Sequence, residues 1–289
     1  MTKTTSFLSA KFSRAQVQRI ESFGQFRISH PCGFVCDFDR YFLTEIGPGL
    51  VPDENHNITL ALTDQAQVWL EPQSWSKVMP KRDLERNANL EQAPACVHTE
   101  ISVFDGSFLI MQSAPLICFE NTELEAKTTL HVQIGSRAIF SDILAKRQSS
   151  NHDGYKTEPS YIFLNVHIYY DNQLQFTDTV EISQNPLFDN DDLWNKVTDE
   201  SCIGAAYFVG TWEPLATLRE IVDRYSKHVS DLSVAISATT DNVITMRVCA
   251  TRAQDISDLF SNVFRELITL HQKDCSQLPS ELGAKTAIY

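Results

Sequence analysis

The chain has 289 residues, of which 43% are hydrophobic and 10% aromatic, and its net charge is −13 from 24 basic and 37 acidic residues. The hydrophobic content is ample for a folded core and is unlike that of a disordered chain. The acidic balance argues against nucleic acid or an anionic membrane as the main partner, because both attract basic surfaces.

Cysteine usage and apolar runs indicate the compartment. The seven cysteines are scattered and odd in number, whereas a secreted disulfide framework is normally even and denser. Met1 to Lys11 contains no apolar run of the kind found in a signal peptide. No stretch approaches the roughly 18 uninterrupted apolar residues of a membrane helix. We therefore expect a cytoplasmic protein with no membrane partner and no nucleic-acid partner.

The first two-thirds of the chain are predicted to form strands joined by short turns. In residues 57–62 the large apolar side chains occupy alternate positions, which puts them on one face of a strand. Residues 157–179 are rich in β-branched and aromatic side chains and poor in helix signals. Proline and glycine punctuate the region.

A short pattern recurs three times in this region, at residues 60–68, 101–109 and 130–138. Each copy has two apolar residues at alternate positions, then a turn pair (Gln65-Ala66, Gly106-Ser107 or Gly135-Ser136), and then a further apolar residue. This pattern predicts a strand, a tight turn at the small pair and a second strand. Stacked units of this kind predict a layered or β-helix-like fold. The alternative is a chance similarity between separate hairpins, because the motif is short and its spacing irregular.

A helix and a strand pair are predicted at the start of the last third. Pro214 suits a first helical turn, and the apolar residues after it follow helical spacing, so a helix is expected near residues 213–230. Residues 233–238 and 243–248 read as strands separated by the turn residues 239–242.

A second helix is predicted near residues 254–272. Thr251 and Gln254 resemble a capping box at its start, and the apolar residues after them form one stripe. The tail 278–289 has little periodicity, and we expect it to be mobile until a partner orders it. The fold class is therefore mainly β, a layered stack of strands with two helices near the C-terminus, in a single domain spanning residues 1–289.

No catalytic or metal-binding motif stands out. A nucleophile elbow, a P-loop and a dinucleotide fingerprint are all absent from the sequence. Cys32 and Cys36 form the closest cysteine pair, for which buried thiols are a simpler explanation than a metal site. The acidic run 189–192 lacks calcium-loop spacing, so we interpret it as a solvated loop. His98, His131 and His167 lie singly on predicted strands and are interpreted as ordinary core or surface histidines.

Several segments taken together resemble the urease accessory protein D family, also called UreD or UreH. The resemblance spans about residues 44–270 in the family's order, and no single motif in it is specific. The segments that carry it are Gly47-Pro48-Gly49-Leu50-Val51, Gln73-Ser74-Trp75-Ser76-Lys77-Val78, Asp105–Leu109 with Pro115–Asn121, Phe140-Ser141-Asp142-Ile143-Leu144, and Ile244-Thr245-Met246-Arg247-Val248.

The sequence departs from the family pattern in two loops, which suggests a divergent member. The Gly-Asp pair of the first block is represented by Asp53-Glu54, so the acid is kept and the glycine is not. A Gly-Arg pair after the fourth segment is replaced by residues 145–148. The residues matched to family motifs, none of them expected to be catalytic, are Gly47, Gly49, Glu54, Gln73, Lys77, Pro115, Asp142 and Arg247.

The resemblance implies a scaffold and not an enzyme. Family members are described as nickel-insertion chaperones that bind apo-urease and recruit accessory protein F, which docks the GTPase accessory protein G. No tightly bound cofactor is expected; nickel would pass transiently over weak oxygen or imidazole ligands, and which residues would hold it is left open. The alternative is a non-catalytic carbohydrate- or ligand-binding β-domain that presents aromatics such as Trp69, Trp75 and Trp194. A carboxylate-dependent hydrolase is the third reading.

Two local expectations follow for the first two motif segments. Gly49 is expected to adopt a backbone conformation that other residues resist. Lys77 is expected to pair with a nearby acid such as Glu54, or else to be a solvated surface charge.

Overall fold

The computed structural model describes residues 5–14, 16–29, 34–35, 38–81, 92–119, 121–146, 160–183, 202–212, 215–227 and 229–277. In these ranges it has eighteen strands and two helices, which confirms the mainly β fold class. The strands are β1 (Ser6–Ser13), β2 (Gln16–Phe23), β3 (Phe26–Ser29), β4 (Phe34–Val35), β5 (Phe38–Glu45), β6 (Asn55–Leu62), β7 (Gln67–Pro72), β8 (Ser76–Val78), β9 (Ala95–Val103), β10 (Phe108–Gln112), β11 (Leu116–Cys118), β12 (Glu123–Val132), β13 (Arg137–Lys146), β14 (Tyr161–Tyr170), β15 (Gln173–Ser183), β16 (Cys202–Val209), β17 (Leu232–Thr240) and β18 (Val243–Ala250). The helices are α1 (Leu215–Ser226) and α2 (Ala253–Gln277).

The strands form two sheets that face each other. Sheet A has seven strands in the order β15-β14-β12-β9-β6-β1-β2. Sheet B has eleven, with the main path β17-β18-β16-β13-β10-β7-β5-β3 and the short strands β4, β8 and β11 attached beside it. The chain crosses between the sheets repeatedly, so that β6, β9 and β12 lie in sheet A while β7, β10 and β13 lie in sheet B.

The three copies of the repeat stack in register as successive coils. Leu60 pairs with Ile101 and Ile101 with Leu130 in sheet A, all in parallel. In sheet B, Leu109 pairs with both Val68 and Ala138. The predicted strand–turn–strand units are confirmed, but the reading of them as separate hairpins is wrong. Each turn carries the chain to the opposite sheet, and each strand pairs with the next copy.

The small pair of each copy connects neighbouring coils. The hydroxyl of Ser107 accepts a hydrogen bond from the Ala66 N–H (3.1 Å), and that of Ser136 accepts one from the Gly106 N–H (3.1 Å). The Arg137 N–H donates to the Ser107 carbonyl at 3.0 Å. The stacked turns therefore satisfy each other's backbone groups at the edge of the molecule.

Two apolar clusters hold the layers together. The inward faces of sheets A and B form the first cluster, which includes the fully buried Leu60, Ile101 and Leu130. The second lies between the outer face of sheet B and the two helices. Each fully buried Leu or Ile contributes roughly 1.5–3 kcal/mol, so register and layer packing are strongly determined.

Both predicted helices are present, with different ends. The first ends at Ser226, short of the predicted 230, because the chain turns into β17; Pro214 lies outside the described residues. The second extends to Gln277, five residues beyond the predicted 272. The predicted strands near 233–238 and 243–248 are β17 and β18.

The start of α2 differs from the predicted capping box. The helix begins at Ala253, and the Gln254 amide donates to Asp258 at 2.8 Å, along the helix surface. Arg252 binds Asp255 through two hydrogen bonds of 2.9 and 2.6 Å. The N-terminal end of α2 is thus stabilised by the Arg252–Asp255 ion pair. The capping box predicted for Thr251 and Gln254 is not formed. The predicted tail 278–289 lies outside the described residues.

Candidate functional site: a cavity between the two sheets

A cavity of about 110 Å³ lies between sheets A and B. Its wall is largely apolar, with side chains such as Ile58 and Val97 from sheet A and Met111 and Phe140 from sheet B. The polar groups along it are Glu45, Ser74, Ser76, Thr99, Ser113, Thr128, Asp142 and Asn165. A cavity that combines an apolar wall with a few polar groups has the general character of a binding site.

Asp142 occupies an interior position of β13 that its neighbours fill with apolar side chains. Phe140 and Leu144 both belong to the core between the sheets, and Asp142 follows the same alternation. Desolvation raises the pKa of Asp142 to about 6, although Arg247 and a hydrogen bond from the Ala205 N–H favour its charged form. The interior therefore contains a carboxylate that burial makes costly to ionise.

Arg247 interacts electrostatically with Asp142 across the intervening strand β16. Ala205 of β16 pairs with Asp142 on one side and with Arg247 on the other, and its methyl group leaves room between them. The Arg247 guanidinium binds Asp178 of β15, and the Tyr207 hydroxyl donates to the same carboxylate at 2.5 Å. The two motif residues, 105 positions apart, thus share a polar cluster that joins sheet A to sheet B.

Glu45 is a second carboxylate on the cavity wall. It follows Tyr41 and Leu43 on the inward positions of β5. The Ser76 hydroxyl donates to it, and desolvation raises its pKa despite that hydrogen bond. Glu45 and Asp142 are contributed by different strands of sheet B. The cavity therefore has two acidic groups on one wall.

Gly49 and its neighbours form the adjoining part of the wall. Gly49 has φ +121°, and a β-carbon there would lie 2.3 Å from the Lys77 carbonyl oxygen. The Leu50 N–H donates to that carbonyl at 2.7 Å, and Leu50 lines the cavity. The Pro115 carbonyl accepts a hydrogen bond of 2.9 Å from the Ser76 N–H. The expectation for Gly49 is confirmed, because only glycine tolerates both the backbone angle and the close approach.

Gly47 and Gln73 lie beside this wall. Gly47 has φ +140° and begins the turn that leads to Gly49. Gln73 accepts a hydrogen bond of 2.7 Å from the Thr44 hydroxyl, and its N–H donates to the Leu43 carbonyl at 3.1 Å. Gln73 therefore joins the end of β7 to β5, next to Ser74 on the cavity wall.

The expected ion pair between Lys77 and Glu54 is wrong. The Lys77 side chain is exposed, and the Glu54 carboxylate instead lies 3.4 Å from Nε2 of His56. His56 is fully buried, and its Nδ1 lies 2.6 Å from the Ser6 hydroxyl. Desolvation lowers the pKa of His56 to about 4, so at neutral pH it is an uncharged core histidine. Lys77 is thus a solvated surface charge, and its backbone contacts the wall.

No metal site is evident in the described part of the chain. Within it, no three His, Cys, Asp or Glu side chains converge to hold an ion. His98, His131 and His167 lie on strands β9, β12 and β14, as predicted, and the His131 ring stacks on Tyr169 at 4.7 Å. Cys32, Cys36 and residues 189–192 lie outside the described ranges.

Of the aromatics proposed for a carbohydrate site, Trp69 is not available to a ligand. Trp69 is completely buried in the cluster below the helices, and its indole N–H donates to Gln112 at 3.2 Å. Trp75 is exposed, and Trp194 lies outside the described residues. Trp69 is therefore a core residue and not a ligand-presenting surface.

Three residues of the site were missed by sequence analysis: Glu45, Asp178 and Tyr207. Glu45 carries a detectable signal, since it falls on the inward positions of an alternating strand. Asp178 and Tyr207 carry none, because their importance depends on Arg247, which is distant in sequence.

Comparison with known proteins identifies a family. The sequence model described as "UreD urease accessory protein" matches residues 8–279. The urease accessory protein UreD of Staphylococcus epidermidis is 24% identical over 228 residues, covering 77% of this chain and 76% of the relative. UreH of Helicobacter pylori is 24% identical over 158 residues, covering 53% and 56% respectively. UreD of Lachnoclostridium phytofermentans is 25% identical over 194 residues, covering 63% and 65%.

Among the described helices, none is both long enough and apolar enough to cross a membrane.

Proposed function

The chain belongs to the UreD urease accessory protein family and has a role in urease maturation, and on this premise we propose that it is a cytoplasmic, non-catalytic scaffold for nickel insertion. It binds apo-urease and recruits accessory protein F, which docks the GTPase accessory protein G. The observation that carries the proposal is the family match over residues 8–279.

The cavity supports a transient role for nickel as cargo. Glu45 and Asp142 supply carboxylate oxygens on one wall, with serine and threonine hydroxyls beside them. Carboxylate oxygens bind divalent cations, but a few such groups without imidazole or thiolate form a weak set for nickel. Weak binding suits a protein that must release its cargo, since tight retention would oppose transfer.

Co-purification tests the scaffold function. A tagged form of this protein, expressed with urease and the other accessory proteins, is expected to retain apo-urease, accessory protein F and accessory protein G. Nickel-dependent urease activity should depend on its presence. Failure to retain apo-urease, together with full activation in its absence, would show that the proposal is wrong.

Paired substitutions test the role of the cavity. Glu45→Gln combined with Asp142→Asn is expected to leave partner retention unchanged and to slow urease activation by nickel. Glu125→Gln is the matched control, because Glu125 is exposed on β12 and lies away from the cavity. Equal activation rates for the double variant and the control would show that the cavity carboxylates do not contribute to nickel transfer. The proposed scaffold function would be unaffected by that result.

A further inference from the structure

β2 is an edge strand of sheet A. Each sheet has two edges. β15 is a second long edge strand, whose Asp178 side chain binds Arg247 of sheet B; Arg219 of α1 donates to the Ile236 carbonyl of β17 at 3.3 Å, and β3 has only four residues. β2 has eight residues and, like β15, pairs with a single strand in the described part of the chain, which is β1. A long strand with one free side is a template for pairing with another strand.

Exposed apolar side chains concentrate at this edge. Of the seven large exposed hydrophobic residues in the described ranges, four lie on or beside β2: Phe7, Ile20, Phe23 and Ile46. The Phe7 and Phe23 rings stack at 6.5 Å, and Phe23 remains 61% exposed. The Ile46 N–H donates to the Gln25 carbonyl at 2.7 Å, which puts Ile46 beside the end of β2. An apolar patch on an open strand indicates an interaction surface.

The sequence of β2 is complementary to itself when it runs antiparallel. A twofold axis through Ile20 would set Arg19 opposite Glu21 of the second copy and Ile20 opposite Ile20 of the second copy. The pairing is centred on residues 19–21, because β2 has a bulge at Gln18, between the residues paired with Lys11 and Phe12. Arg19 and Glu21 are both well exposed and already contact each other within the strand. The central positions 19–21 thus meet residues of matching chemistry.

We propose that a second copy of this protein binds along β2, forming a symmetric dimer through an antiparallel β2–β2 pair. The pairing joins the two A sheets into one continuous sheet and covers Ile20 and Phe23. The net charge of −13 opposes association of two copies. At the centre of the interface, Arg19 of each copy lies opposite Glu21 of the other copy, so that opposite charges attract each other there. Because the surface is separate from the cavity, the proposal is independent of the proposed function.

Charge reversal provides the test, measured by sedimentation equilibrium of the full-length protein. The wild type is expected to show a monomer–dimer equilibrium. Arg19→Glu sets carboxylates opposite each other twice across the axis, and Glu21→Arg does the same with guanidinium groups. Each is expected to raise the dimer dissociation constant at least about tenfold. The double variant restores opposite charges and is expected to return to the wild-type constant.

The control is a charge change of the same size at a position away from β2. Lys127→Glu makes the same charge change as Arg19→Glu at an exposed position of β12, in the middle of sheet A, and should leave the dimer unchanged. Circular dichroism confirms that each variant is folded. A wild type that is monomeric at all concentrations, single variants that dimerise normally, or a double variant that stays dissociated would each overturn the proposal. Protection of β2 from hydrogen exchange only when apo-urease is added would also overturn it.

Discussion

At the scale of single residues, Gly49 shows how one backbone conformation positions the cavity wall. Its φ of +121° lets the chain turn so that the Leu50 N–H meets the Lys77 carbonyl. The absence of a side chain is needed for the approach itself, since a β-carbon would overlap that carbonyl. Gly135 has a positive φ as well, +82°, but nothing lies within 4 Å of a β-carbon there.

These two glycines give a matched test of the steric argument. Gly49→Ala is expected to lower the free energy of unfolding by about 2–4 kcal/mol, because backbone strain and overlap with Lys77 add. Gly135→Ala should cost only about 1–2 kcal/mol, from the backbone angle alone. Urea denaturation measures both. Equal losses for the two variants would contradict the close-approach argument.

Asp142 is retained at a cost to stability. Its pKa of about 6 in the fold, against 3.8 for the free side chain, means that the folded protein holds the proton more tightly than the unfolded chain. The stability that this proton contributes is therefore present at about pH 4 and is lost as the pH rises to about 6. Above that, the fold must keep a desolvated charge. A carboxylate kept under these conditions points to a role other than folding.

Asp142→Asn is expected to stabilise the protein at pH 7 by up to about 3 kcal/mol, because it removes the desolvated charge. The advantage should disappear near pH 4, where wild-type Asp142 is neutral as well. Unfolding by urea at a series of pH values checks this, and the comparison cancels the titration of other groups. A variant less stable than the wild type at pH 7 would mean that the attraction to Arg247 outweighs desolvation.

At the scale of elements, α2 packs onto sheet B through one apolar stripe. Its apolar stripe covers the outer face of sheet B, and the fully buried residues of that stripe extend from Ile256 to Ile268. Gly204 of β16 allows this close packing, since a β-carbon there would lie 2.6 Å from Ile256. The stripe of α2 is therefore buried against sheet B. The role of the following residues in partner binding stays a prediction.

Truncation after Gln272 is expected to leave the free energy of unfolding within about 1 kcal/mol of the wild type, because the buried stripe is kept. Capture of accessory protein F and nickel activation of urease should both weaken. Truncation after Gln277 is the control that retains the whole of α2. If the shorter protein activates urease normally, the interface with accessory protein F lies elsewhere.

At the scale of the whole molecule, polar contacts join sheet A to sheet B along one side. Asp178 of sheet A receives hydrogen bonds from Arg247 and Tyr207 of sheet B, and β15 and β18 lie near the edges of their sheets. The Arg247 side chain is 41% exposed and that of Asp178 only 12%. Solvent therefore weakens the ion pair from one side, while the Asp178 carboxylate depends on it for compensation.

Arg247→Ala is expected to lower the free energy of unfolding by about 1–2 kcal/mol, because Asp178 loses a charged donor and Asp142 loses its counter-charge. Increased hydrogen exchange in β15 should accompany the loss, since that strand is released from sheet B. Lys127→Ala, at an exposed position of β12, is the control and should change stability by less than about 0.5 kcal/mol. Unchanged exchange in β15 would show that apolar packing alone closes the molecule.

The sequence by itself determined the local elements and the family. Period-two alternation and the small pairs at 65–66, 106–107 and 135–136 identified strand, turn and strand, and helical spacing identified both helices. These signals are local, because each depends on side chains a few residues apart. Five motif segments in the correct order were enough to indicate the UreD family, which the family match confirms.

Only the tertiary structure decided how these elements meet. Whether a repeat forms a hairpin or pairs with the next copy depends on partners 29 and 41 residues away, for which burial between the sheets selects the register. The electrostatic interaction of Asp142 with Arg247 depends on β16 lying between their strands, and the solvation of Lys77 requires Glu54 to turn toward His56. Such contacts are set by packing over long distances in sequence, and no local pattern specifies them.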